Sequence, residues 1–409
     1  MKIELDASPY EIPKRSDDLA REVYGILGIP VDAVDVEEVV RRIGVAMAGD
    51  EPFLISTPNL NFLVTAQVDR DFRESLLLSD LCPADGVPIV WISRLLGIPI
   101  KARVAGSDIF DRLKFGPKGS VKAFLFGGRH GVAETAEEVL NCESSGVNCV
   151  GSIFPGFGEV NEMSSQAIID VVNGSGAGFL VASLGAQKGQ SWLMANHDRL
   201  KIPVRAHLGA AINFQARLLK RAPLFIRKSG FEWMWRIKEE PYLWRRYLHD
   251  GIVLARLMLG SVLPLALEMI WRTFSSKANL GLSISISDAS GRARKACLAG
   301  DAVASNIEQI ELLLRQAIAE AEELTIDLSK VHSLDARFLG LLLMVRKSMV
   351  RKGGRLHLSG VPREIRRAFL LHRFGFLLDG DDRHEVAKVR LAELDVEGCV
   401  ASSAVSEAF

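Results

Sequence analysis

The chain has 409 residues, of which 48% are hydrophobic, so it is long enough for two or three globular domains and does not belong to the disordered class. Lys plus Arg and Asp plus Glu number 50 each, which leaves no overall charge that would attract nucleic acid. The five cysteines form no CxxC pair and no zinc spacing, as in reduced cytoplasmic proteins, so neither a metal nor a cofactor is predicted.

The chain begins with a polar, charged stretch and continues from about residue 30 to 210 as alternating strands and helices. The opening MKIELDASPYEIPKRSDD is unlike a secretory signal, so we expect a cytoplasmic protein. The runs PFLISTPN, VKAFLFGG and GAGFLVASLGAQKG each lead an apolar strand into turn residues, and helical spacing follows in LNFLVTAQVDRDFRESLLLSD and RHGVAETAEEVLN. This pattern predicts an α/β fold with a Rossmann-like parallel sheet, whose ligands bind at the carboxyl ends of the strands.

One acid stands at such a strand end, in the sequence CPADGVPIVW. Asp85 lies between an alanine and a glycine at the start of an apolar run. Asp is disfavoured in strands and in apolar surroundings unless it is paired or functional, but Asp-Gly is also a common turn. Thr57, Gly127 and Gly185 lie near comparable strand ends. The residues alone leave both interpretations of Asp85 open.

A second pair of acids, Asp69 and Asp71 in VDRDF, has the Asp-x-Asp spacing used by metal-dependent glycosyltransferases. The pair opens a helical pattern, where N-terminal capping and the helix dipole explain both acids. A metal-binding pair is expected at a strand end instead, so we favour the capping interpretation.

The segment 217–271 is basic and aromatic. The sequence from Arg217 to Arg256 contains ten Lys or Arg residues and four acids, and tryptophans and tyrosines are interleaved with them. The apolar run LMLGSVLPLALEMIW follows; it is shorter than a spanning helix needs and is interrupted by Pro264 and Glu268. This composition predicts an appendage that lies on an anionic membrane surface. The alternative is a charged, solvated face beside a buried helix.

A linker of small and polar residues, RTFSSKANLGLS, is predicted at 272–283. Strands in SISIS, ARKACLAG, ELTIDLS and RLHLSG alternate with three helical patterns after it. We therefore predict a small α/β domain over 284–395, followed by a tail at 396–409.

The first region resembles the WecG/TagA/CpsF family of bacterial glycosyltransferases. The resemblance is carried by STPNLNFLV, PADGVPIVW, RVAGSDIF, LFGGRHGVAE and LGAQKGQSW, and by KRAPLFIRKSGFEWMWRIKEEPYLWRRYL in the appendage. It implies a catalytic domain over 1–216 that transfers a hexose such as N-acetylmannosamine, with inversion. The implied donor is a nucleotide diphosphate sugar, UDP-linked in expectation, and the implied acceptor is a polyprenyl-diphosphate-linked glycan of cell-surface polysaccharide synthesis. The enzyme would be peripheral on the inner face of the plasma membrane.

The resemblance also assigns roles to residues. Asp85 matches the general base, with Thr57 and Asn59 in the same pocket, and Arg103 matches an arginine suited to the leaving diphosphate. Further donor contacts are expected from Gly127, Gly128, Lys188, Gln187 and Gln190. Appendage arginines expected to reach the diphosphates or the membrane are Arg221, Arg236, Arg245 and Arg246.

One motif departs from the family. The family pattern Gly-x-Pro-Lys-Gln-Glu-x-Trp is replaced by GAQKGQSW, which keeps Lys188 and Trp192 but has Gln187, Gly189 and Gln190 for the proline, the glutamine and the glutamate. Either Gln187 or Gln190 substitutes from a neighbouring position, or the donor differs, or activity is reduced.

The second region resembles the STAS domains of anti-sigma factor antagonists, through ELTIDLSKVHSLDARFLGLLL with Asp327 and Asp335. In switch members two serines and a glycine follow the second acid, whereas Ala336, Arg337 and Phe338 stand here. The phosphate-accepting serine is therefore absent, with Ser333 a weak candidate upstream, and we favour a docking or dimerising module without a switch. Arg337 could pair with an acidic or phosphate-bearing protein partner.

Two other classes of function stay open at this point. The altered GAQKGQSW motif is compatible with a non-catalytic sugar-nucleotide sensor. Alternatively, the chain is a regulatory scaffold that acts through its STAS-like domain.

Overall fold

The computed structural model describes residues 17–49, 51–274, 280–288 and 292–378. Most of the polar N-terminal stretch, part of the predicted linker, the end of the predicted STAS-like domain and the predicted tail at 396–409 lie outside the described residues.

Seven strands and nine helices form the described part of the first region. The strands are β1 (Val23–Ile26), β2 (Ile29–Asp32), β3 (Phe53–Ser56), β4 (Val121–Gly127), β5 (Val147–Ile153), β6 (Phe179–Ser183) and β7 (Val204–His207). The helices are α1 (Val36–Met47), α2 (Leu60–Val68), α3 (Arg70–Leu77), α4 (Val87–Leu95), α5 (Gly106–Lys114), α6 (Val132–Glu143), α7 (Gln166–Gly174), α8 (Ala186–Ala195) and α9 (Ala211–Gln215).

A parallel sheet of five strands, in the order β3-β7-β6-β4-β5, lies at the centre of this region. Every residue of β3, β6 and β7 is buried, because helices cover both faces of a parallel sheet, and most of these residues are apolar. Separate hydrophobic clusters fill the two sides. The predicted fold class is confirmed.

The antiparallel hairpin β1–β2 is joined to this sheet through Ser79–Asp85, which we call the bridging segment. Its Leu81 pairs with Ile55 of β3, and its Pro83 pairs with Asp32 of β2, both in parallel. The bridging segment therefore runs alongside β3 in the same direction, and Asp85 lies at its carboxyl end.

The single helix predicted over LNFLVTAQVDRDFRESLLLSD is divided into α2 and α3 at Asp69. The Asp69 carboxylate accepts a hydrogen bond from the Phe72 amide at 2.9 Å, which caps α3, and Asp71 lies in the first turn of that helix. The capping interpretation of this pair is confirmed. An amide in the interior of a helix is already bonded within the helix, so Asp69 can accept from Phe72 only because α3 begins here. Asp69 thus both ends α2 and caps α3.

The appendage is helical. Its helices are α10 (Leu224–Ser229), α11 (Glu232–Glu239), α12 (Trp244–Leu257) and α13 (Leu263–Phe274), and a π-helical turn at Met258–Val262 joins the last two. The expected interruption at Pro264 and Glu268 is wrong, since Pro241–Trp271 is one helical stretch of 31 residues that meets the length and composition for crossing a membrane. Pro264 does not interrupt it, because the wide turn just before the proline absorbs the missing hydrogen bond.

The second region is a small α/β domain, as predicted. Its elements are β8 (Ser283–Asp288), β9 (Ala293–Ala302), α14 (Glu308–Glu320), β10 (Glu323–Leu334), α15 (Ala336–Arg351), β11 (Arg355–Ser359) and α16 (Arg363–Leu371). The sheet order is β11-β10-β9-β8; of the pairings in this sheet, β8–β9 is antiparallel and the other two are parallel. Asp335 caps α15 by accepting from the amides of Arg337 and Phe338.

Candidate active site

Three loops meet around Asp85 at the carboxyl edge of the sheet. The Asp85 amide donates to the Pro58 carbonyl at 2.8 Å, which joins the bridging segment to the loop after β3. The Val104 amide donates to the Ala84 carbonyl at 2.7 Å, which brings in the loop before α5. Because of these two bonds, the predicted residues on the three loops share one edge.

The loop after β3 presents Thr57 and Asn59 beside Asp85. Thr57 is buried, and the Asn59 side chain caps α2 by accepting from the Phe62 amide at 3.1 Å. Gly86 has a φ of +141°, and a Cβ there would lie 3.4 Å from that of Asn59, so the two loops are in close contact. The contribution of Thr57 and Asn59 to substrate binding stays a prediction.

The Asp85 carboxyl titrates near neutrality. Burial raises its pKa to about 7, against the charge of Arg103 and a hydrogen bond from the Gly106 amide, both of which favour the ionised form. Gly106 opens α5, whose N-terminus has no side-chain cap of its own, so Asp85 supplies one from another loop. Glu232 and Asp108 raise the pKa further. A carboxylate with this pKa can accept a proton at physiological pH.

Arg103 lies next to Asp85 and is held by the appendage. Its guanidinium is paired with Glu232 of α11, and with Asp108 at 3.4 Å. Arg221 also pairs with Asp108, at 2.6 Å, and donates to Ser107 at 2.9 Å. The appendage is therefore fixed to the start of α5 by ion pairs. Glu232 was not predicted from the sequence, because the segment that contains it is distinguished by its basic residues.

The second part of the edge lies where β4 and β6 end. Gly127 and Gly128 have φ values of +105° and +83°, a conformation that other residues rarely adopt. The Gly128 amide donates to the Ser183 carbonyl at 2.8 Å, and a Cβ on Gly127 would crowd that carbonyl. Four strand spacings of about 4.8 Å separate the bridging segment from β4, or roughly 19 Å. The edge is long enough for an extended ligand.

The GAQKGQSW motif forms the start of α8 beside Gly127 and Gly128. Lys188 donates to the carbonyls of Phe157 and Gly158 at 3.4 and 3.3 Å, and Gln187 pairs with Asp69. Gln190 is fully buried and donates to the Ser56 hydroxyl at 2.8 Å, behind the end of β3. Gln187 and Lys188 are thus at the surface of this edge, whereas Gln190 supports it from below. Their donor contacts stay predictions.

The structure explains why a glycine stands at position 189 of this motif, next to His207 at the end of β7. A Cβ on Gly189 would overlap the imidazole of His207. His207 is buried, and its Nε2 contacts the Leu184 carbonyl at 2.6 Å, so Nε2 carries the proton. Burial lowers the pKa of His207, which favours the neutral ring. His207 therefore fixes the loop that precedes α8. Nothing in the sequence indicated this residue beyond its place at a strand end.

We expect Gly189→Ala to lower the thermal unfolding midpoint by roughly 2 to 10 °C, because an added methyl in a packed site costs about 1–3 kcal/mol. Gly44→Ala is the matched control, since Gly44 also lies inside a helix but nothing lies within 4 Å of its added Cβ. That change should raise the midpoint or leave it unchanged. Equal effects of both substitutions in a thermal melt would contradict the proposed contact with His207.

The remaining predicted arginines divide into two sets. Arg236 pairs with Glu240 at 2.6 Å and lies 5.4 Å from the Phe214 ring of α9, over which Arg221 also lies, at 5.9 Å. Arg245 and Arg246 lie on the exposed side of α12, over the rings of Trp244 and Tyr247 at 5.6 and 5.3 Å. Arg221 is thus held at the start of α5, Arg236 lies beside the ring it shares with Arg221, and Arg245 and Arg246 are exposed on α12. Their contacts with diphosphate or membrane stay predictions.

Comparison with known proteins gives two matches to protein families. Residues 24–266 match the model of the glycosyl transferase WecG/TagA/CpsF family. Residues 287–379 match a STAS domain model described as Mlab, STAS domain.

Similar individual proteins include two transferases. An N-acetylglucosaminyldiphosphoundecaprenol N-acetyl-β-D-mannosaminyltransferase of Bacillus spizizenii is 27% identical over 46% of this chain and 74% of its own length. A protein of the same name from Staphylococcus aureus is 23% identical over 52% of this chain and 82% of its own length. Among solved structures, phosphorylated Bacillus SpoIIAA is 15% identical with a TM-score of 0.21, covering 30% of this chain and 99% of that protein.

Proposed function

We infer that this chain, which belongs to the WecG/TagA/CpsF family of glycosyltransferases, transfers an N-acetylmannosamine-like hexose from a nucleotide diphosphate to a polyprenyl-diphosphate-linked glycan. The names of the two similar transferases support the sugar and the lipid-linked acceptor. The position of Asp85 carries the proposal, because a carboxyl with a pKa of about 7 lies at the carboxyl edge of a parallel sheet beside Arg103.

In the proposed reaction, Asp85 acts on the acceptor. An acceptor hydroxyl attacks the anomeric carbon of the donor sugar and gives its proton to the Asp85 carboxylate as the new C–O bond forms. The bond between the anomeric carbon and the diphosphate oxygen breaks on the opposite face, so the configuration inverts. The proton then leaves Asp85 for solvent. Thr57 and Asn59 would orient sugar hydroxyls in the same pocket.

The leaving diphosphate takes the electron pair of the broken bond and needs cationic or N–H donors. Arg103 is the cation next to Asp85, and it would exchange all or part of its pairing with Glu232 for the diphosphate. The glycines at the end of β4 precede α6, and backbone amides at such a position can bind phosphate or ribose. Lys188 would add positive charge at that end of the edge.

A transfer assay with purified full-length protein tests this proposal. A set of UDP-linked hexoses is offered with a short-chain polyprenyl diphosphate that carries N-acetylglucosamine, and the product is identified by its mass. Addition of one hexosamine to the lipid-linked acceptor is the expected result. Donor binding without transfer to any acceptor would instead favour a non-catalytic sensor of nucleotide sugars.

The pH dependence of kcat/KM should follow the titration of Asp85. Only the ionised carboxylate can accept a proton, so activity should fall about tenfold per pH unit below an apparent pKa near 7 and level off above it. Initial rates at subsaturating donor between pH 5.5 and 8.5 provide the measurement. The negative charges of Glu232 and Asp108 raise the pKa of Asp85, whereas Arg103 lowers it. Glu232→Gln should therefore move the midpoint of the pH profile of kcat/KM to lower pH. A flat profile over this range would contradict Asp85 as the base.

We also propose that α12 and α13 lie in the surface of an anionic membrane. One side of this helical stretch is buried against the protein, with Leu257 and Val262 at 3% and 0% exposure. The opposite side carries exposed apolar residues: Trp244, Leu248, Ile252, Leu259, Leu263, Leu267 and Trp271. Arg245, Arg246 and Arg256 are exposed on α12, where they can contact lipid phosphates. A helix held along one side by protein and apolar along the other supports an in-plane orientation.

A further inference from the structure

The STAS-like domain is docked on the glycosyltransferase region through α15. A Cβ on Gly340 of α15 would overlap the Val23 carbonyl of β1, and a Cβ on Gly25 would lie 2.8 Å from Leu339. Arg337 donates to the same Val23 carbonyl at 3.2 Å. Gly340 thus allows α15 to approach the backbone of β1, and Gly25 leaves room for the side chains of Leu339 and Phe374. The start of α15, where a partner of Arg337 was expected, is occupied by the chain's own hairpin.

Lys347 lies at the centre of this interface and is 1% exposed. Its ammonium donates to Asp18 at 2.9 Å, to Asp80 at 2.8 Å and to the Ser79 carbonyl at 2.7 Å. All three N–H groups of a protonated lysine are used, and all three acceptors are oxygens of the glycosyltransferase region. Arg351, one turn further along α15, pairs with both carboxylates.

The charges in this buried cluster balance only when both regions contribute. The glycosyltransferase region supplies Asp18, Asp32, Asp80 and Arg21, and Arg21 binds both oxygens of Asp32 at 3.1 and 2.8 Å. This leaves two negative charges, which Lys347 and Arg351 of the STAS-like domain neutralise. Buried carboxylates without a counter-charge are strongly disfavoured, so the cluster depends on α15.

The same cluster holds the bridging segment that ends at Asp85. The Asp80 carboxylate accepts from the Leu54 amide of β3 at 2.8 Å, and Lys347 and Arg351 lower its pKa to about 2 in spite of burial. The Cys82 amide donates to Asp32 at 2.6 Å. The bridging segment is thus anchored at Asp80 and Cys82, within five residues of the candidate base.

We propose that the STAS-like domain is a positioning element of the glycosyltransferase, in which Lys347 fixes the bridging segment and thereby the location of Asp85. The proposal rests on the proposed function in taking Asp85 as the base. Lys347 contacts no substrate and acts through Asp80. The domain then serves the acceptor end of the site in cis, which gives it a role that needs no phosphorylation.

The test compares two substitutions at adjacent positions of α15 in the full-length chain. Lys347→Met removes the cation bound to the bridging segment. Arg346→Gln is the matched control, since Arg346 also crosses the interface, to Glu74 at 2.8 and 2.9 Å, but does not contact the bridging segment. Amide hydrogen exchange over residues 79–86 and the separate values of kcat and KM are measured for both variants.

We expect Lys347→Met to speed exchange over residues 79–86 and to lower kcat by about tenfold or more with little change in donor KM, whereas Arg346→Gln leaves both unchanged. Two further variants are used if Lys347→Met alone does not fold. The double variant Lys347→Met with Asp80→Asn removes both charges of the buried pair, and Arg351→Gln changes the half-exposed partner of Asp80. Their exchange should also rise in this segment. Exchange equal to that of Arg346→Gln in every variant that folds would overturn the proposal. Exchange does not depend on transfer, so it decides the matter even if the proposed function fails.

Discussion

Asp85→Asn is expected to reduce sugar transfer by roughly 10²- to 10⁴-fold while leaving donor binding nearly unchanged. The amide keeps the shape of the carboxyl, and its oxygen can still accept from the Gly106 amide, but it cannot take a proton from the acceptor. Transfer by the mass-based assay and nucleotide binding by calorimetry, on the same protein preparation, separate the two effects.

Stability provides an independent readout for this substitution. Because the folded-state pKa of Asp85 is raised from 3.8 to about 7, its ionisation costs folding stability increasingly as the pH rises between these two values, and the full cost is present above about pH 7. Asparagine carries no charge and avoids this cost, so the thermal unfolding midpoint of the Asp85→Asn variant at pH 8 should equal or exceed that of the unsubstituted protein. Asp71→Asn, at an exposed position in the first turn of α3, is the control and should keep full activity. Wild-type turnover by Asp85→Asn would remove Asp85 from the mechanism.

The sequence was sufficient to find the edge of the sheet at which the candidate site lies. Alternation of apolar runs with glycine turns predicts parallel strands, and the residues after β3, β4 and β6 must then lie at one edge. The Asp-Gly turn at residue 85 fits the same rule. The position of Asp85 beside the sheet could not be predicted from a strand pattern. The bridging segment pairs with β3 at Leu81 and with β2 at Pro83 through isolated bridges and forms no regular strand.

Contacts between distant parts of the chain could not be predicted. Lys347 lies 329 residues from Asp18 and 267 from Asp80, and no local pattern in one sequence links such positions. On sequence alone Lys347 is one of several bases near the end of a helix. In the same way, the sequence shows Gly189 only as a departure from a motif, whereas in the structure the imidazole of His207 leaves no room for a Cβ at this position.

The appendage helix continues through Pro264 and Glu268 for a physical reason that the sequence does not display. Pro264 and Glu268 were treated as interruptions, but proline is tolerated where the preceding turn is already widened, as at Met258–Val262. The basic and aromatic composition nevertheless predicts a segment that lies on an anionic membrane surface. The structure adds which leucines are exposed, and these define the second large expected effect.

Leu259→Asn is expected to weaken binding to anionic vesicles by about tenfold, and Leu259→Asn with Leu267→Asn by about 10²-fold. Both leucines lie on the exposed side of the helical stretch, at 69% and 65% exposure, and each buried leucine side chain contributes about 1.5–3 kcal/mol when it leaves water. Partial insertion at an interface gives the lower end of that range. Sedimentation with vesicles of phosphatidylglycerol and phosphatidylcholine measures the partitioning.

Leu312→Asn is the matched control, because Leu312 is 67% exposed on α14 of the STAS-like domain, away from the apolar side of α12 and α13. If the helical stretch lies in the membrane surface, the control binds vesicles like the unsubstituted protein. Transfer to a water-soluble acceptor should survive in all three variants, since neither leucine contacts the loops around Asp85, while transfer to an acceptor embedded in vesicles should fall with binding. Equal vesicle binding by the double variant and the control would show that the apolar side of this helix contacts something other than lipid.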